Sequence, residues 1–395
     1  MRIEAIRLKN FKAFKSVELR DIPAFCILVG ANGSGKSTLF DVFGFLKDCL
    51  TFNVKSAVQN RGGMKELLSR GSTGERIEIE VKFRISIAGV ERLATYLLII
   101  SEGKQGIAVE REILRYKRGA HGKPFHFLDF AFGKGFAIAN EEDFNQPDEE
   151  LEREEQSLDS PAILAIKGLG QFSRFKAASA FRQLIEHWHV SDFHINLARG
   201  SKDVAGYDEH LSPSGDNLQL VARYLYDEHR PAFDRIIDTM TRRVPGFERV
   251  EPILIPGGKL LLGFKDQAFD EPFIDSYVSD GTIKMFAYLV LLHDPAPHQL
   301  LCVEEPENQL YPSLLEELAE EFRAYSARGG QVFVSTHSPD FLNACELDEV
   351  FWLTKDVGFT EARRAQDDEQ IRAYMEDGDR MGYLWKQGFF GGADP

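Results

Sequence analysis

The chain of 395 residues is long enough for one large α/β domain or two ordinary ones. Its 62 acidic against 47 basic residues give a formal net charge of −15, which argues against a surface devoted to coating nucleic acid or anionic membrane but allows a local basic patch. No apolar run approaches the ~20 residues that span a bilayer, and the charged first residues predict no signal peptide. The cysteines are far apart and form no C-x-x-C pair, which argues against a disulfide framework or zinc finger and favours the reducing cytoplasm: Cys26, Cys49, Cys302 and Cys345.

Two kinds of periodicity divide the first third of the chain into strands and one helix. Residues 76–87 alternate between apolar and charged side chains, which is typical of a half-buried antiparallel strand. The apolar residues from Ser37 to about Leu50 follow helical spacing, and a polar loop is expected over 53–75. Further strands are predicted at 3–8, 17–19, 24–30, 92–101 and 107–117, and after a turn at 118–123.

The composition changes between 139 and 250, which we interpret as an acidic and helical insertion within a single domain over 1–395. The stretch 139–160 is strongly acidic and poor in apolar residues, so we expect a solvated loop or an exposed helix there. The other predicted elements are helices near 171–188 and 216–243, strand periodicity at 250–264, and then a strand at 300–305, a helix at 313–327, a strand at 331–336 and a short tail.

A complete G-x-x-x-x-G-K-[ST] phosphate loop follows the predicted strand at 24–30 and precedes the predicted helix. Its glycines let backbone N–H groups point at the oxygens of a triphosphate, and the N-terminal end of the helix adds positive potential. Lys36 is expected to reach the β- and γ-phosphates of ATP, and the Ser37 hydroxyl is expected to bind Mg²⁺. The predicted nucleotide-binding residues are Gly30, Ala31, Asn32, Gly33, Ser34, Gly35, Lys36, Ser37 and Thr38.

Two later strands end in residues that suit ATP hydrolysis. The run L-L-C-V-E-E-P-E predicts a buried strand that delivers paired carboxylates to the sheet edge where ligands bind in open α/β folds. Glu304 is expected to hold the Mg²⁺, directly or through water, and Glu305 to orient and polarise the attacking water. His337 follows the next strand, where an imidazole can contact the γ-phosphate or that water. A surface acidic turn and a structural histidine are the alternative interpretations.

The segment S-D-G-T at 279–282 precedes an apolar helix that begins near Ile283. A serine hydroxyl and a glycine amide at a helix N-terminus can bind an anion. Because the chain already has a phosphate loop, this second site suits the γ-phosphate of a neighbouring molecule. An ordinary N-cap by Ser279 or Asp280 is the alternative.

In this order, the four motifs resemble the ATP-binding-cassette (ABC-type) head of the RecF/OLD/SMC-like branch of bacterial AAA-family predicted ATPases, in a single-head form without coiled coil or nuclease domain. The opening I-R-L-K-N-F-K-A-F, the segment N-Q-L-Y-P and the run S-T-H-S-P also match. The resemblance implies an α/β fold with a mixed or parallel core sheet, an antiparallel N-terminal β lobe and a helical insertion lobe. It further implies that two heads sandwich two ATP molecules, each closed by Ser279 and Gly281 of the second copy, with Glu305 as the base-like residue and His337 as the switch histidine.

The resemblance also places Lys12 and Phe14 where family members contact the nucleotide base, and makes Gln59 a candidate for the Q-loop. The chain departs from the family pattern at Glu304, where Asp is usual, at Tyr311, where His is common, and at Val278, where Leu is commoner.

These motifs favour an ATPase that dimerises on ATP and acts on DNA or on a DNA-processing complex, in repair, maintenance or phage defence. The alternative is a regulatory module whose ATP occupancy licenses a separate effector, such as a nuclease or toxin. A transporter ATPase is disfavoured because transporter cassettes place the signature segment much nearer the phosphate loop than Ser279 is to Lys36. About sixty residues follow His337, too few for a further catalytic domain of ordinary size, so we expect any nuclease activity to belong to another polypeptide.

Two weaker patterns stay open. His187, His189 and His194 are close in sequence, but a metal site needs a carboxylate or cysteine with convergent geometry, and only Asp192 is near, so structural roles are favoured. A basic run on a predicted hairpin suits either a DNA backbone or a solvated face: Arg111, Arg115, Lys117, Arg118 and Lys123.

Overall fold

The computed structural model describes residues 2–72, 74–87, 89–104, 106–117, 124–139, 151–203 and 208–391. The chain divides into two compact units. The first unit comprises Met1–Trp188, Leu347–Gly378 and Leu384–Pro395, and the second comprises His189–Glu346 and Asp379–Tyr383. The organisation as one domain with an insertion at 139–250 stays a prediction. No helix in the described parts of the chain is long and apolar enough to cross a membrane.

An eight-stranded antiparallel sheet forms one part of the first unit, in the strand order β2-β1-β4-β5-β6-β7-β8-β9. Its strands are β1 (Arg2–Phe11), β2 (Phe14–Arg20), β4 (Ile77–Ile87), β5 (Val90–Gly103), β6 (Gly106–Tyr116), β7 (Phe125–Ala131), β8 (Lys134–Ile138) and β9 (Arg153–Ser157). Strand β4 pairs with β1 and β5 and buries the apolar residues that the alternation singled out, among them Ile77, Val81 and Phe83. The predicted antiparallel β lobe is therefore confirmed.

The rest of the first unit contains a buried strand, its paired strands and several helices. Strand β3 (Phe25–Val29) is buried along its whole length and pairs in parallel with β17 (Val350–Asp356), which pairs antiparallel with β18 (Phe359–Arg364), so this set is mixed. The helices of this unit are α1 (Lys36–Thr51), α2 (Val54–Gln59), α3 (Met64–Leu67), α4 (Ala165–Leu169), α5 (Lys176–Glu186) and α12 (Glu369–Glu376).

The second unit combines a parallel strand pair, an antiparallel group and several helices. Strands β15 (Leu300–Glu304) and β16 (Gln331–Thr336) run in parallel, and β12 (Phe247–Ile255) pairs antiparallel with β13 (Lys259–Asp266). The other elements are β10 (Trp188–Ser191), β11 (Lys202–Asp203), β14 (Phe273–Ile274), α6 (Ile195–Ala198), α7 (Leu218–Glu228), α8 (Arg230–Arg243), α9 (Asp280–Leu292), α10 (Ser313–Ala327) and α11 (Pro339–Leu342), and the last helix of the chain is α13 (Met381–Lys386).

Three local predictions are wrong. The expected loop over 53–75 contains α2 and α3, because the Asn53 side chain accepts from the Ser56 N–H at 2.8 Å and caps α2 over a buried apolar face. Within the acidic stretch, β9 is an edge strand on β8 and not a loop or helix. The tail after β16 holds the β17–β18 hairpin and α12. The turn at 118–123 and residues 140–150 lie outside the described residues.

Candidate functional site

The phosphate loop joins β3 to α1 in the first unit. Gly33 and Gly35 have φ angles of 77° and 109°, in the left-handed region that favours glycine. A Cβ atom on Gly30 would lie 2.5 Å from the carbonyl oxygen of Leu353, and one on Gly35 would lie 2.6 Å from Thr360 Oγ1. This conformation of the loop therefore depends on glycine at these three positions.

The Lys36 side chain is buried against the loop that precedes it. Its Nζ donates to the carbonyl oxygens of Gly30 at 2.5 Å and Ala31 at 3.2 Å. The buried Thr360 hydroxyl donates to the Ser34 carbonyl at 2.7 Å and holds the loop from the β18 side. An ammonium held by loop carbonyls can exchange them for phosphate oxygens without moving far.

The remaining loop residues lie in the same turn. Asn32, Gly33 and Ser37 are exposed, whereas Ala31 and Thr38 are half-buried. Ser37 is the second residue of α1, so its hydroxyl lies at the helix end where the resemblance expects a Mg²⁺ ligand.

In the basic turn between β1 and β2, the side chains do not lie as the resemblance to the family predicts. Phe14 is fully buried, so its predicted contact with a nucleotide base is wrong: the ring belongs to the core. The Lys12 ammonium lies 2.6 Å from the carboxylate of Asp41 on α1, which also binds Arg61 at 2.7 Å. Gln59, the last residue of α2, is exposed, and its Q-loop role stays a prediction.

In the second unit, β15 ends at the acid pair. Glu304 lies opposite Ser335 of β16, and the Glu305 N–H donates to the Ser335 carbonyl at 2.9 Å. Glu305 has a φ of 43°, which turns the chain away from the strand direction. A non-glycine residue in this region costs about 1–3 kcal/mol, and such residues are concentrated at functional sites.

The structure brings Glu305 and His337 together. His337 Nδ1 lies 3.3 Å from Glu305 Oε1, and the Asn308 side-chain amide donates to Glu305 Oε2 at 2.9 Å. Both side chains are about one-third exposed, at 32% for Glu305 and 39% for His337, so both can meet a substrate. An open cavity of about 610 Å³ beside the acid pair is lined by Glu304, Glu305 and Lys284, among others.

Sequence reasoning assigned no role to Glu307, which organises this cluster. Its buried Oε1 accepts from the Thr336 hydroxyl at 2.7 Å and from the His337 backbone N–H at 2.9 Å. Because a buried carboxylate that receives two hydrogen bonds fixes their donors, Glu307 sets where the His337 main chain lies. The signal was present in the third glutamate of E-E-P-E.

Sequence reasoning also missed Lys284, the lone cation in the apolar run of α9. Its side chain is buried, and its Nζ donates to the Asn308 carbonyl oxygen at 2.7 Å. Burial lowers the pKa of this ammonium to about 8, against the opposing effect of the negative charges of Glu307 and Glu305. A lone charged residue within a run of apolar residues was the available signal.

The segment before α9 has the geometry of a helix N-cap. Ser279 Oγ accepts from the Thr282 N–H at 3.2 Å, as the capping alternative predicted, and the Ser279 side chain is exposed. A Cβ on buried Gly281 would lie 2.8 Å from the Gln309 carbonyl oxygen, so glycine permits the close approach of α9 to the loop after β15. Arg199 donates to the Val278 carbonyl at 2.8 Å and holds the segment from outside. The role of Ser279 and Gly281 toward a second copy stays a prediction.

The basic run is largely neutralised where the structure describes it. Arg111 binds both carboxylate oxygens of Asp129, at 3.0 and 2.9 Å. Arg115 lies 3.2 Å from a carboxylate oxygen of Glu80. Lys117 is exposed, and the last two members of the run, Arg118 and Lys123, lie outside the described residues. This hairpin therefore offers less free positive charge than its sequence indicates.

The comparisons with known proteins concern the family and the fold of the chain. The family model described as "AAA domain, putative AbiEii toxin, Type IV TA system" matches residues 25–343. No match is found among curated proteins. A crystal structure of an Smc head bound to the C-winged helix domain of ScpA aligns with a TM-score of 0.53 and 16% identity, covering 92% of this chain and 97% of that chain.

A second crystal structure, an Smc head domain with an extended coiled coil bound to the C-terminal domain of ScpA from Pyrococcus furiosus, aligns with a TM-score of 0.51 and 14% identity, covering 95% of this chain and 99% of that one. At these identities the likeness concerns the fold, and it confirms the predicted ABC-type head. The family match runs from β3 through the phosphate loop and the acid strand to His337. The chain therefore belongs to this family of AAA-domain P-loop ATPases.

Proposed function

We propose that the chain is an ATP-hydrolysing head that binds ATP with Mg²⁺, pairs with a second copy on ATP binding and uses this cycle to control a macromolecular partner. The observation that carries the proposal is the pairing of Glu305 with His337 at 3.3 Å, on a turn fixed by buried Glu307. A carboxylate and an imidazole held in this way form an acid–base pair suited to activating water.

The phosphate loop supports the proposed binding of ATP with Mg²⁺. Glycine at 30 and 35 lets the loop pack closely against Leu353 and Thr360, and in a loop of this kind the backbone N–H groups can point at phosphate oxygens. Lys36, which now donates to loop carbonyls, would donate to the β- and γ-phosphates instead. Ser37 and Glu304 carry the hard oxygen ligands that Mg²⁺ prefers, and Mg²⁺ when bound neutralises the charge that develops on the phosphate oxygens.

In the proposed reaction, the Glu305 carboxylate accepts a hydrogen bond from a water molecule and orients it toward the γ-phosphorus. The oxygen of that water forms the new P–O bond while the bond from the γ-phosphorus to the β–γ bridging oxygen breaks. The Glu305 carboxylate takes the proton that the water loses, and the products are ADP and inorganic phosphate. His337 is placed to hydrogen-bond the same water or the transferred phosphoryl group. The Asn308 amide keeps the Glu305 carboxylate in a single orientation.

The pairing with a second copy is supported by the segment before α9. The exposed Ser279 hydroxyl stands at the positive end of a long, buried helix, where it can donate to the γ-phosphate held by another molecule. Each copy would then complete the other's site, so ATP binding would drive association and hydrolysis would release it.

There are two candidates for the target of the proposed cycle of ATP binding and hydrolysis. The first is DNA or a DNA-processing complex, in repair, maintenance or phage defence. The second is a separate effector, such as a nuclease or toxin, that ATP occupancy licenses. The ion pairs of Arg111 and Arg115 favour the second candidate, because they reduce the charge available to a DNA backbone. The two similar Smc heads are each bound to a ScpA domain, and the matching family is described as "putative AbiEii toxin, Type IV TA system", so both comparisons also support a protein partner.

Steady-state ATP hydrolysis by the pure protein, with and without duplex DNA, tests the proposal. Several-fold stimulation by DNA would support the first candidate. Hydrolysis that depends on Glu305 but is indifferent to DNA would support the licensing module. Hydrolysis that is absent, or unchanged by Glu305→Gln, would overturn the assignment of the site.

A further inference from the structure

A group of histidines meets one buried carboxylate in the second unit, and none of these residues has a role in the proposed ATPase. The ligand atoms of His210, Asp294 and His298 all lie within 4.8 Å of one another. In a tetrahedral site with metal–ligand distances of 2.0–2.1 Å, ligand atoms lie about 3.4 Å apart. Small side-chain movements would therefore bring these three groups onto one metal ion.

The carboxylate is held in place before any metal binds. The Ala296 N–H donates to Asp294 Oδ1 at 2.9 Å, while Oδ2 lies 2.7 Å from His210 Nδ1. Pro295 and Pro297 flank this turn and restrict its backbone. Asp294 is buried, so a neighbouring cation would offset the cost of placing its negative charge there.

Three imidazoles converge at the same place. The ring centroid of His298 lies 5.3 Å from that of His210 and 4.8 Å from that of His189, which is itself buried on β10. The Tyr325 hydroxyl donates to the His298 carbonyl oxygen and anchors that end of the turn. The sequence offered only Asp192 as a carboxylate near His189, whereas the fold supplies Asp294 from the turn between α9 and β15.

We propose that His210, Asp294 and His298 bind a divalent transition-metal ion of the Zn²⁺ class, with His189 as the fourth ligand. Imidazole nitrogens suit Zn²⁺, Co²⁺ and Ni²⁺, whereas Mg²⁺ and Ca²⁺ prefer sets made of oxygens alone. A closed set of four protein ligands is typical of a structural site. The metal would join β10, the loop before α7 and the turn before β15 into one cross-linked region.

The test uses tag-free protein, because an affinity tag of histidines would itself bind metal. The protein is treated with a chelator, dialysed and titrated with Co²⁺, whose visible absorption reports tetrahedral coordination, and the Co²⁺ is then displaced with Zn²⁺. We expect one equivalent to bind, and Zn²⁺ to raise the melting temperature because it binds only the folded state.

The variants His210→Gln and His298→Ala should each weaken Co²⁺ binding by about 100-fold or more. His210 is half-exposed, so its variant should fold even if His298→Ala does not. His194→Ala is the matched control, because that exposed histidine pairs with Asp192 on the same segment as His189 and should bind metal as the wild type does. Weak, non-stoichiometric binding, or binding that both variants retain, would overturn the proposal.

Discussion

The ammonium of Lys284 donates to the carbonyl oxygen of Asn308 at 2.7 Å, and this bond ties α9 to the turn that carries the acid pair. The side-chain amide of the same Asn308 donates to Glu305 Oε2 at 2.9 Å. The helix that begins after Ser279 is thereby joined to the proposed base through a single residue. If Ser279 contacts the ATP of a second copy, the bonds from Lys284 to Asn308 and from Asn308 to Glu305 connect that contact to the proposed base.

The lowered pKa of Lys284 predicts a specific dependence of stability on pH. Between about pH 8 and the ordinary lysine pKa of 10.5, the unfolded chain binds a proton that the folded chain does not. The contribution of Lys284 to the free energy of unfolding therefore rises with pH across this window. Below about pH 8 the folded chain also carries the charge, and the full cost of burying it lowers the stability. Lys284→Met lacks this contribution.

Urea unfolding of wild type and Lys284→Met at about pH 7 and about pH 10 measures the effect. The difference in unfolding free energy should move in favour of the wild type as the pH rises. Exposed Lys55, changed to Met, is the control and should show no such movement. Parallel pH profiles for wild type and Lys284→Met would contradict the burial of a charged amine.

Lys36→Ala should weaken nucleotide binding strongly. In the proposed function this side chain exchanges its bonds to the loop carbonyls for bonds to phosphate, and losing such charged hydrogen bonds costs about 1.5–3 kcal/mol, which is roughly a 10- to 150-fold loss of affinity. Titration calorimetry with ATP and Mg²⁺ measures the loss, and a thermal melt checks that the fold is retained. Lys55→Ala should bind as the wild type does, and wild-type affinity in Lys36→Ala would exclude this loop as the phosphate site.

Glu305→Gln should bind ATP but turn it over at least about 100-fold more slowly, because an amide cannot accept the proton of the attacking water. The bound ATP should trap a dimer, which light scattering after size-exclusion chromatography detects. Glu316→Gln, on the exposed first turn of α10, is the matched control. A variant that stays monomeric with saturating ATP would rule out association through the nucleotide.

Glu307 is proposed as a positioning residue, so its variants should separate kcat from KM. Glu307→Ala leaves the Thr336 hydroxyl and the His337 N–H without their buried acceptor, and kcat should fall by about tenfold or more while KM for ATP changes little. Glu307→Gln keeps one acceptor oxygen and should recover part of the loss. Equal losses in both variants, or a change in KM alone, would argue against this role.

Local sequence patterns predicted the elements in which the spacing of apolar residues itself shows which face is buried. Strand β4 alternates cleanly, and α10 and β16 begin and end at the predicted residues. The missed elements depend on distant partners. Acidic β9 becomes a strand because β8 offers an edge to pair with, and β17 is a strand because it lies beside β3. Pairing across more than three hundred residues leaves no local signal.

The residues of the candidate site also fall into two groups, those that the local sequence predicted and those that depend on distant contacts. Motif spacing predicted the phosphate loop, Glu305 and His337 as candidates, because their chemistry requires particular residues at particular intervals. Glu307, Lys284 and Thr360 each bond a main-chain atom of a distant segment or turn, and no residue spacing encodes such a contact. Phe14 was placed at the nucleotide by resemblance, and the structure buries it in the core.

The central claim is that this chain hydrolyses ATP with Glu305 as the base. The most direct test is the steady-state release of phosphate from saturating ATP and Mg²⁺ by wild type, Lys36→Ala and Glu305→Gln, purified side by side. The account predicts turnover by the wild type and a loss of about 100-fold or more in both variants. Phosphate release by Glu305→Gln at the wild-type rate would contradict it.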